Sequence, residues 1–428
     1  MALPESLVQV KEIIKQWGEL MVKKVLLLAF MAVFAVFGAA CGNQTPSDTS
    51  ETNPNEAEFH IGICTSTFAQ SEDESRGAEQ LIKQYGDVKD GGMIKHVTYP
   101  DNFAQEQETV ISIIAGLADD PKMKAIIVNQ AVGGVAAAFK KIKETRPDIL
   151  LIAAMPQEDP NLIESVADVI TDPDNISRGY YIVKNAKDMG AKTFVHISFP
   201  RHMSIELLSR RRAIMEEACK DLGLKFAFET APDPAGDVGV AGAQQMVYEM
   251  MPQLVAKYGK DTAFFCTNDA QTEPLIKQVA NLGAIFVEPD TPSPLMGYPT
   301  ALGVDLKAEA GDWPAIVKKI EEAVLAKNQS GRMGTPAYSF SYCNSVGLGE
   351  FAKSVIEGKA QKDDVNAIIE AFKKITPGAE WATSFYADAN TQEVKKNHLL
   401  VLEDTYIFGK GYSGVIKEPV PEKYLTIK

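Results

Sequence analysis

The chain has 428 residues, 45% hydrophobic and 23% charged, which excludes disordered and collagen-like classes and gives enough chain for two lobes. Lys plus Arg number 43 against 57 Asp plus Glu, a net charge of −14 that argues against nucleic acid as a partner. Five Cys, none in C-x-x-C spacing, exclude a disulfide scaffold and a zinc ribbon.

Val25 to Ala40 is apolar and uncharged, follows Lys23 and Lys24, and ends in small residues directly before Cys41. It is short for a membrane span, and the order basic, apolar, small is that of an export signal. Residues 1–40 therefore read as a signal region whose first 20 residues, ahead of Met21, are an upstream start artefact. Cys41 after Gly38-Ala39-Ala40 resembles a bacterial lipobox, with Gly38 where an aliphatic residue is usual. The expectation is lipidation at Cys41 and a membrane anchor on the extracytoplasmic face. Residues 41–58 are too polar to pack and read as a flexible tether. Cys64, Cys219, Cys266 and Cys343 are expected to be free thiols, Cys64 and Cys266 within apolar strand-like runs and Cys219 on a helix.

From Phe59 onward, short apolar β-rich runs alternate with amphipathic segments, the pattern of βαβ units. Strands are predicted at 59–64, 93–99, 124–129, 148–154, 167–172, 192–199, 225–229, 262–267 and 284–289, with helices between them. The turn-rich Thr171 to Asn175 marks a hinge crossing. Lobe 1 is then 59–174, completed by part of 300–428, and lobe 2 is 175–299. Helices are predicted at 312–327, 347–358 and 363–375. In the tail, 377–428, Leu399–Leu402 and Thr405–Phe408 read as strands with a turn between, and their packing is left open.

In open α/β sheets, ligands bind beyond the carboxyl ends of the strands. Those positions carry Ser66, Thr67 and Gln70 after the first strand, Asn129 and Gln130 after the third, and Gln157 after the fourth. The second half adds Ser198 and Arg201, then Asn268 and Asp269. Hydroxyls, amides, one carboxylate and aromatic rings are the inventory that holds a neutral polar ligand. Thr65, Ser71, Thr267 and Asn268 serve equally as helix caps, while Asp269 is the residue a cap does not explain.

Thr262 to Ala270, TAFFCTNDA, resembles the strand and TND turn of type I periplasmic binding proteins. Lys124 to Gln130 with Val135 to Lys141 resembles their third strand and helix, and the resemblance covers residues 59 to 360. The opening Thr65-Ser66-Thr67, with Gln70 to Glu74 and Arg76 to Ala78, resembles a lipoprotein branch of that fold. The resemblance implies an α/β fold of two doubly wound parallel-sheet lobes joined by a hinge. It implies capture of a small polar molecule, sugar- or nucleoside-like, for an ABC-type importer, with Ser66, Asn129, Gln130 and Asp269 nearest the ligand. A monomer without cofactor or metal is expected. The 288–304 stretch and the tail after Pro377 depart from a minimal sugar binder, which leaves the ligand class open.

An enzyme is not expected, since no G-x-S-x-G, H-E-x-x-H or complete P-loop occurs. His196 reads as a satisfied core histidine and His202 as a cleft candidate. Arg201, Arg210, Arg211 and Arg212 read as a solvated basic face, and Glu72, Asp73 and Glu74 as surface acids for docking. A DNA-binding repressor would need a helix pair where the export signal stands. The competing reading is an envelope sensor or protein-interaction lipoprotein on the same fold.

Overall fold

The computed structural model describes residues 56–428; the signal region, Cys41 and most of the tether lie outside the described residues. The first half builds β1 (His60–Thr65), α1 (Glu72–Tyr85), β2 (Ile94–Thr98), α2 (Gln107–Ala115), β3 (Met123–Val128), α3 (Val135–Thr145), β4 (Leu150–Ala154), α4 (Pro160–Glu164) and β5 (Val169–Pro173). The strands pair in parallel in the order β2-β1-β3-β4-β5. Side chains alternate across a strand, so Ile61, Ile63, Ile127 and Ile152 enter one core and Cys64, Ile126, Val128 and Leu151 the other. Apolar residues on both faces are what near-continuous hydrophobic strands require.

The chain then enters a second α/β unit: α5 (Asn175–Asp188), β6 (Thr193–Ser198), α6 (Pro200–Met203), α7 (Glu206–Leu222), β7 (Lys225–Thr230), α8 (Gly239–Tyr258), β8 (Thr262–Cys266), α9 (Asp269–Leu282), α10 (Tyr298–Leu302), α11 (Trp313–Ala326) and β9 (Gly334–Pro336). β7, β6 and β8 form a parallel sheet in that order. The 284–289 run is a strand only in part: Ile285 bridges Ala263 and Phe286 bridges Met333, linking β8 towards β9. The core on one face of this sheet combines Val195 and Phe264 with Trp313, Ile320 and Phe408, so the second lobe reaches beyond the expected boundary at residue 299.

The last quarter serves both lobes. α12 (Phe340–Ile356), α13 (Val365–Ile375), β10 (Trp381–Ala387) and β11 (Val394–Glu403) return to the first sheet, where β11 lies parallel to β5 and antiparallel to β10. Then β12 (Thr405–Ile407), β13 (Gly411–Tyr412) and α14 (Glu422–Leu425) join the second unit, β12 pairing with β9. The two tail strands expected to flank a turn are instead members of different sheets, separated by Asp404 alone. Three crossings, after Pro173, Pro336 and Glu403, thus connect two α/β lobes.

Close helix packing sets the depth of the first strand-end loop. α1 approaches α12 at Gly77, where a Cβ would lie 2.5 Å from the Ser345 Cβ. That approach lets Ser345 Oγ donate to the Glu74 carbonyl at 2.9 Å and accept from Asn129 Nδ2 at 3.0 Å. Cys64, Cys219, Cys266 and Cys343 are buried free thiols. Among the described residues no helix is long and apolar enough to cross a membrane.

Candidate functional site

The strand ends of both lobes meet at one cavity that opens to solvent. Lobe 1 contributes Gln130, Met155, Pro156, Gln157, Asp172 and Pro173. Lobe 2 contributes His202, Ile205, Leu207, Leu208, Arg211, Asn268, Asp269, Asp290 and Thr291. Two lining residues have left-handed backbone without being glycine: Gln130 at φ 44° and Met155 at φ 50°. Each follows a strand, and such conformations persist only where the surroundings enforce them, typically at binding sites.

Asp269 opens α9, with Asn268 before it as the cap, its Oδ1 accepting from Ala270 N at 3.0 Å. The cap is thereby filled and the Asp269 carboxylate is free for the cavity. It accepts from Thr291 Oγ1 at 2.9 Å and Thr291 N at 3.3 Å, and lies 3.5 Å from Gln130 Nε2 across the cleft. Burial first, then the neighbouring Asp290 and Glu74, pushes its pKa well above the usual carboxylate range.

Thr291 is held in place by two buried arginines. Arg178 of α5 donates to Glu288 Oε1 at 2.8 Å, the Pro289 carbonyl at 2.8 Å and Asn175 Oδ1 at 3.1 Å. Arg211 of α7 donates to Asn175 Oδ1 at 2.6 Å and to Asp290. The 288–304 stretch is therefore part of the site. Its Ser293 also donates to Asp73 of lobe 1.

The expected ligand residues separate into two groups. Gln130, Gln157, Asn268 and Asp269 line the cavity. The other six do not line it. Ser66 is buried and donates through N and Oγ to Glu74 Oε2, at 3.1 and 2.9 Å. Thr67 donates to Asp101. Gln70 and Asn129 are buried, Asn129 donating to Ser345. Ser198 is engaged with Thr267 at 2.5 Å. Arg201 grips Asp233 through two bonds at 2.7 and 2.9 Å and donates to Gln157 Oε1 at 2.8 Å, with its guanidinium over the Phe103 ring of lobe 1. It ties the lobes at the cavity rim.

Several readings change once tertiary contacts are present. The basic cluster is not a solvated face: Arg211 lines the cavity, and Arg210, equally buried, donates to the carbonyls of Ile427, Leu425 and Ala387. Asp73 and Glu74 are buried, unlike a docking surface, while Glu72 stays exposed. Burial pushes Asp73 up to about 6 against the hydrogen bonds from Ser293 and Ser339. His196 is buried between Phe228 and Phe265 with neither ring nitrogen bonded, so it is core but not satisfied. His202 does reach the cavity, and burial with Arg201 beside it lowers its pKa to about 4, leaving it neutral. The expected aromatic stacking faces are replaced by Ile205, Leu207, Leu208 and Met155.

Sequence reasoning missed Asp172, Asn175, Arg211, Asp290 and Thr291. Asp290 and Thr291 follow the apolar run 284–287, so the strand-end rule would have found them. The buried arginines carried no such signal, because their partners are distant in sequence.

Two α/β lobes, three crossings and a cleft at facing strand ends define the type I periplasmic binding protein class. The model of the family described as “Protein of unknown function (DUF3798)” matches residues 59–334, and the chain belongs to that family. A second family model without a description matches residues 345–427. The chain is 42% identical over 217 residues to an “Uncharacterized protein” of Treponema pallidum (strain Nichols), a match covering 51% of this chain and 98% of the relative. A crystal structure from Clostridium difficile 630, named “Putative transcriptional regulator”, superposes with TM-score 0.64 at 25% identity, covering 82% of this chain and 99% of that one. An ABC transporter periplasmic solute binding protein from Actinobacillus succinogenes 130z, with bound D-allose, has TM-score 0.48 and 16% identity, covering 71% of this chain and 93% of its own.

Proposed function

We propose that this protein is an extracytoplasmic solute-binding lipoprotein that captures a small polar molecule, sugar- or nucleoside-like, between its lobes for an ABC-type importer. The observation that carries the binding part is the cavity built by strand-end residues of both lobes, with left-handed Gln130 and Met155 in its wall. A ligand touching Gln130 or Gln157 on one side and Asp269 or Asn268 on the other binds the closed arrangement better and shifts the population towards it. Export, anchoring and delivery rest on the signal-like N-terminus, Cys41 and the resemblance of the TND turn.

Gentle denaturation of the purified protein should release a stoichiometric metabolite that raises the melting temperature when added back. Asp269→Ala should then weaken its binding about tenfold or more, the roughly 1.5–3 kcal/mol of a hydrogen bond to a charged group. Unchanged affinity in a folded variant would remove Asp269 from the site. For the anchor, Cys41→Ser should move the protein from the detergent phase to the aqueous phase; a variant that stays with detergent rejects lipidation at Cys41.

A further inference from the structure

Not every acidic group at the cavity has a cationic partner, and the unpartnered ones meet at one point. Asp290 is paired with Arg211, and Asp172 with His398 at 2.8 Å. Asp269 has only Thr291 and the Gln130 amide. Behind Gln130 stands Glu74, bonded to the same Nε2 at 2.6 Å and also held by Ser66. One amide thus bridges two buried carboxyl groups, and among the described residues neither forms an ion pair with a lysine, arginine or histidine. His202, held neutral, supplies no compensating charge.

A buried carboxylate without a cation is costly, and a ligand that brings the cation removes that cost. The lobe 2 wall also carries a complementary vacancy. Arg211 is about as buried as any residue in the fold, and its Nε has no hydrogen-bond partner although its other two nitrogens are bonded. That atom can only donate, so it calls for an oxygen acceptor. Ile205, Leu207 and Leu208 add aliphatic surface to the lining.

We propose that the ligand of this cleft is an aminated, hydroxyl-bearing small molecule such as an amino sugar. Its ammonium sits at Asp269, with Glu74 behind, and one of its oxygens accepts from Arg211 Nε. This rests on the reading of the cleft as a solute site and adds the charge of the solute. A neutral sugar would satisfy the hydrogen bonds but leave the Asp269–Glu74 pair uncompensated.

The test uses matched probes that differ in one group: D-glucosamine against D-glucose and N-acetyl-D-glucosamine, and ethanolamine against ethylene glycol. Each is titrated calorimetrically into the wild-type protein and into Asp269→Asn, whose folding is checked by circular dichroism and melting. The expected result is binding of the amine at least about tenfold tighter than its neutral partner, with that preference erased in Asp269→Asn. Acetylating the amine tests the same point on unmodified protein, should the variant fold poorly. Equal binding of charged and neutral partners, or an amine preference that survives Asp269→Asn, overturns the proposal while the cleft remains a solute site. A wild-type protein that binds no probe of either set removes the amine proposal, and a further failure to release or bind any metabolite removes the solute-binding reading as well.

Discussion

Arg178→Ala should destabilise the protein by about 3–5 kcal/mol, the range for breaking a buried ion pair from one side. The Arg178 and Glu288 side chains are 4% and 5% exposed, so water cannot replace the lost partner. Glu288 would keep only the bond from Thr405 Oγ1 at 2.9 Å. Glu403, buried at the third crossing, is already pushed up by burial and by Glu288, with Arg178 acting against that, so removing the arginine sets two buried carboxyl groups against each other. The same guanidinium positions Pro289 and Asn175, and through them the loop that brings Thr291 to Asp269. Urea unfolding measures the effect. Replacing the pair together, Arg178→Met with Glu288→Leu, should recover most of the loss, because apolar residues of similar volume need no partner. A single-variant cost below about 1 kcal/mol would show that water or a shifted side chain compensates Glu288.

A second large effect is expected at His398, with a pH dependence of defined sign. This residue lies on β11 opposite Ile170 of β5, stacks on Tyr386, and is bonded through Nε2 to Asp172 at 2.8 Å and through Nδ1 to Glu164 at 3.0 Å. Burial opposes the imidazolium, but the bonds to Asp172 and Glu164 outweigh it and raise the pKa above the ordinary histidine value. A raised folded pKa means the folded state binds more proton. The stabilisation is therefore fully present below the unfolded value of about 6.5 and is lost as pH rises through the folded pKa. Asp172 is raised as well, chiefly by burial, so it acts in the same direction. Unfolding free energy should fall as pH rises above about 6.5, and His398→Gln should flatten that fall. His398→Leu should cost about 3–5 kcal/mol at pH 6, since it leaves Asp172 buried without a cation and Glu164 with only Lys395, at 3.7 Å. Equal pH slopes in wild type and His398→Gln would reject the assignment.

Much of the architecture was legible in local pattern. The runs at 59–64, 124–129, 148–154 and 262–267 are apolar over a strand's length and bounded by turn residues, and each became a parallel strand buried on both faces. The chain leaves the first sheet after Pro173, within the Thr171 to Asn175 turn. The other two crossings left weaker signals: the third is a single residue, Asp404, between two apolar strands, which reads from sequence as a hairpin turn. The strand-end rule found Gln130, Gln157, Asn268 and Asp269 in the cavity wall. Ser66 and Asn129, the first residues after β1 and β3, and Ser198, the last residue of β6, lie outside that wall because each turns inward to bond a neighbouring element.

Periodicity and composition by themselves determined that this chain makes α/β sheets covered by helices, because a strand's two-sided hydrophobicity and a helix's apolar stripe are local properties. They also placed Asp269 at a strand-to-helix turn with a separate cap. Only the tertiary structure decided which charged residues are buried. Arg178 is 110 residues from Glu288, Arg211 is 79 from Asp290 and His398 is 226 from Asp172. In an isolated segment each reads as a solvated charge, since the cost of burying a charge is offset by a partner that the chain supplies only when it has folded.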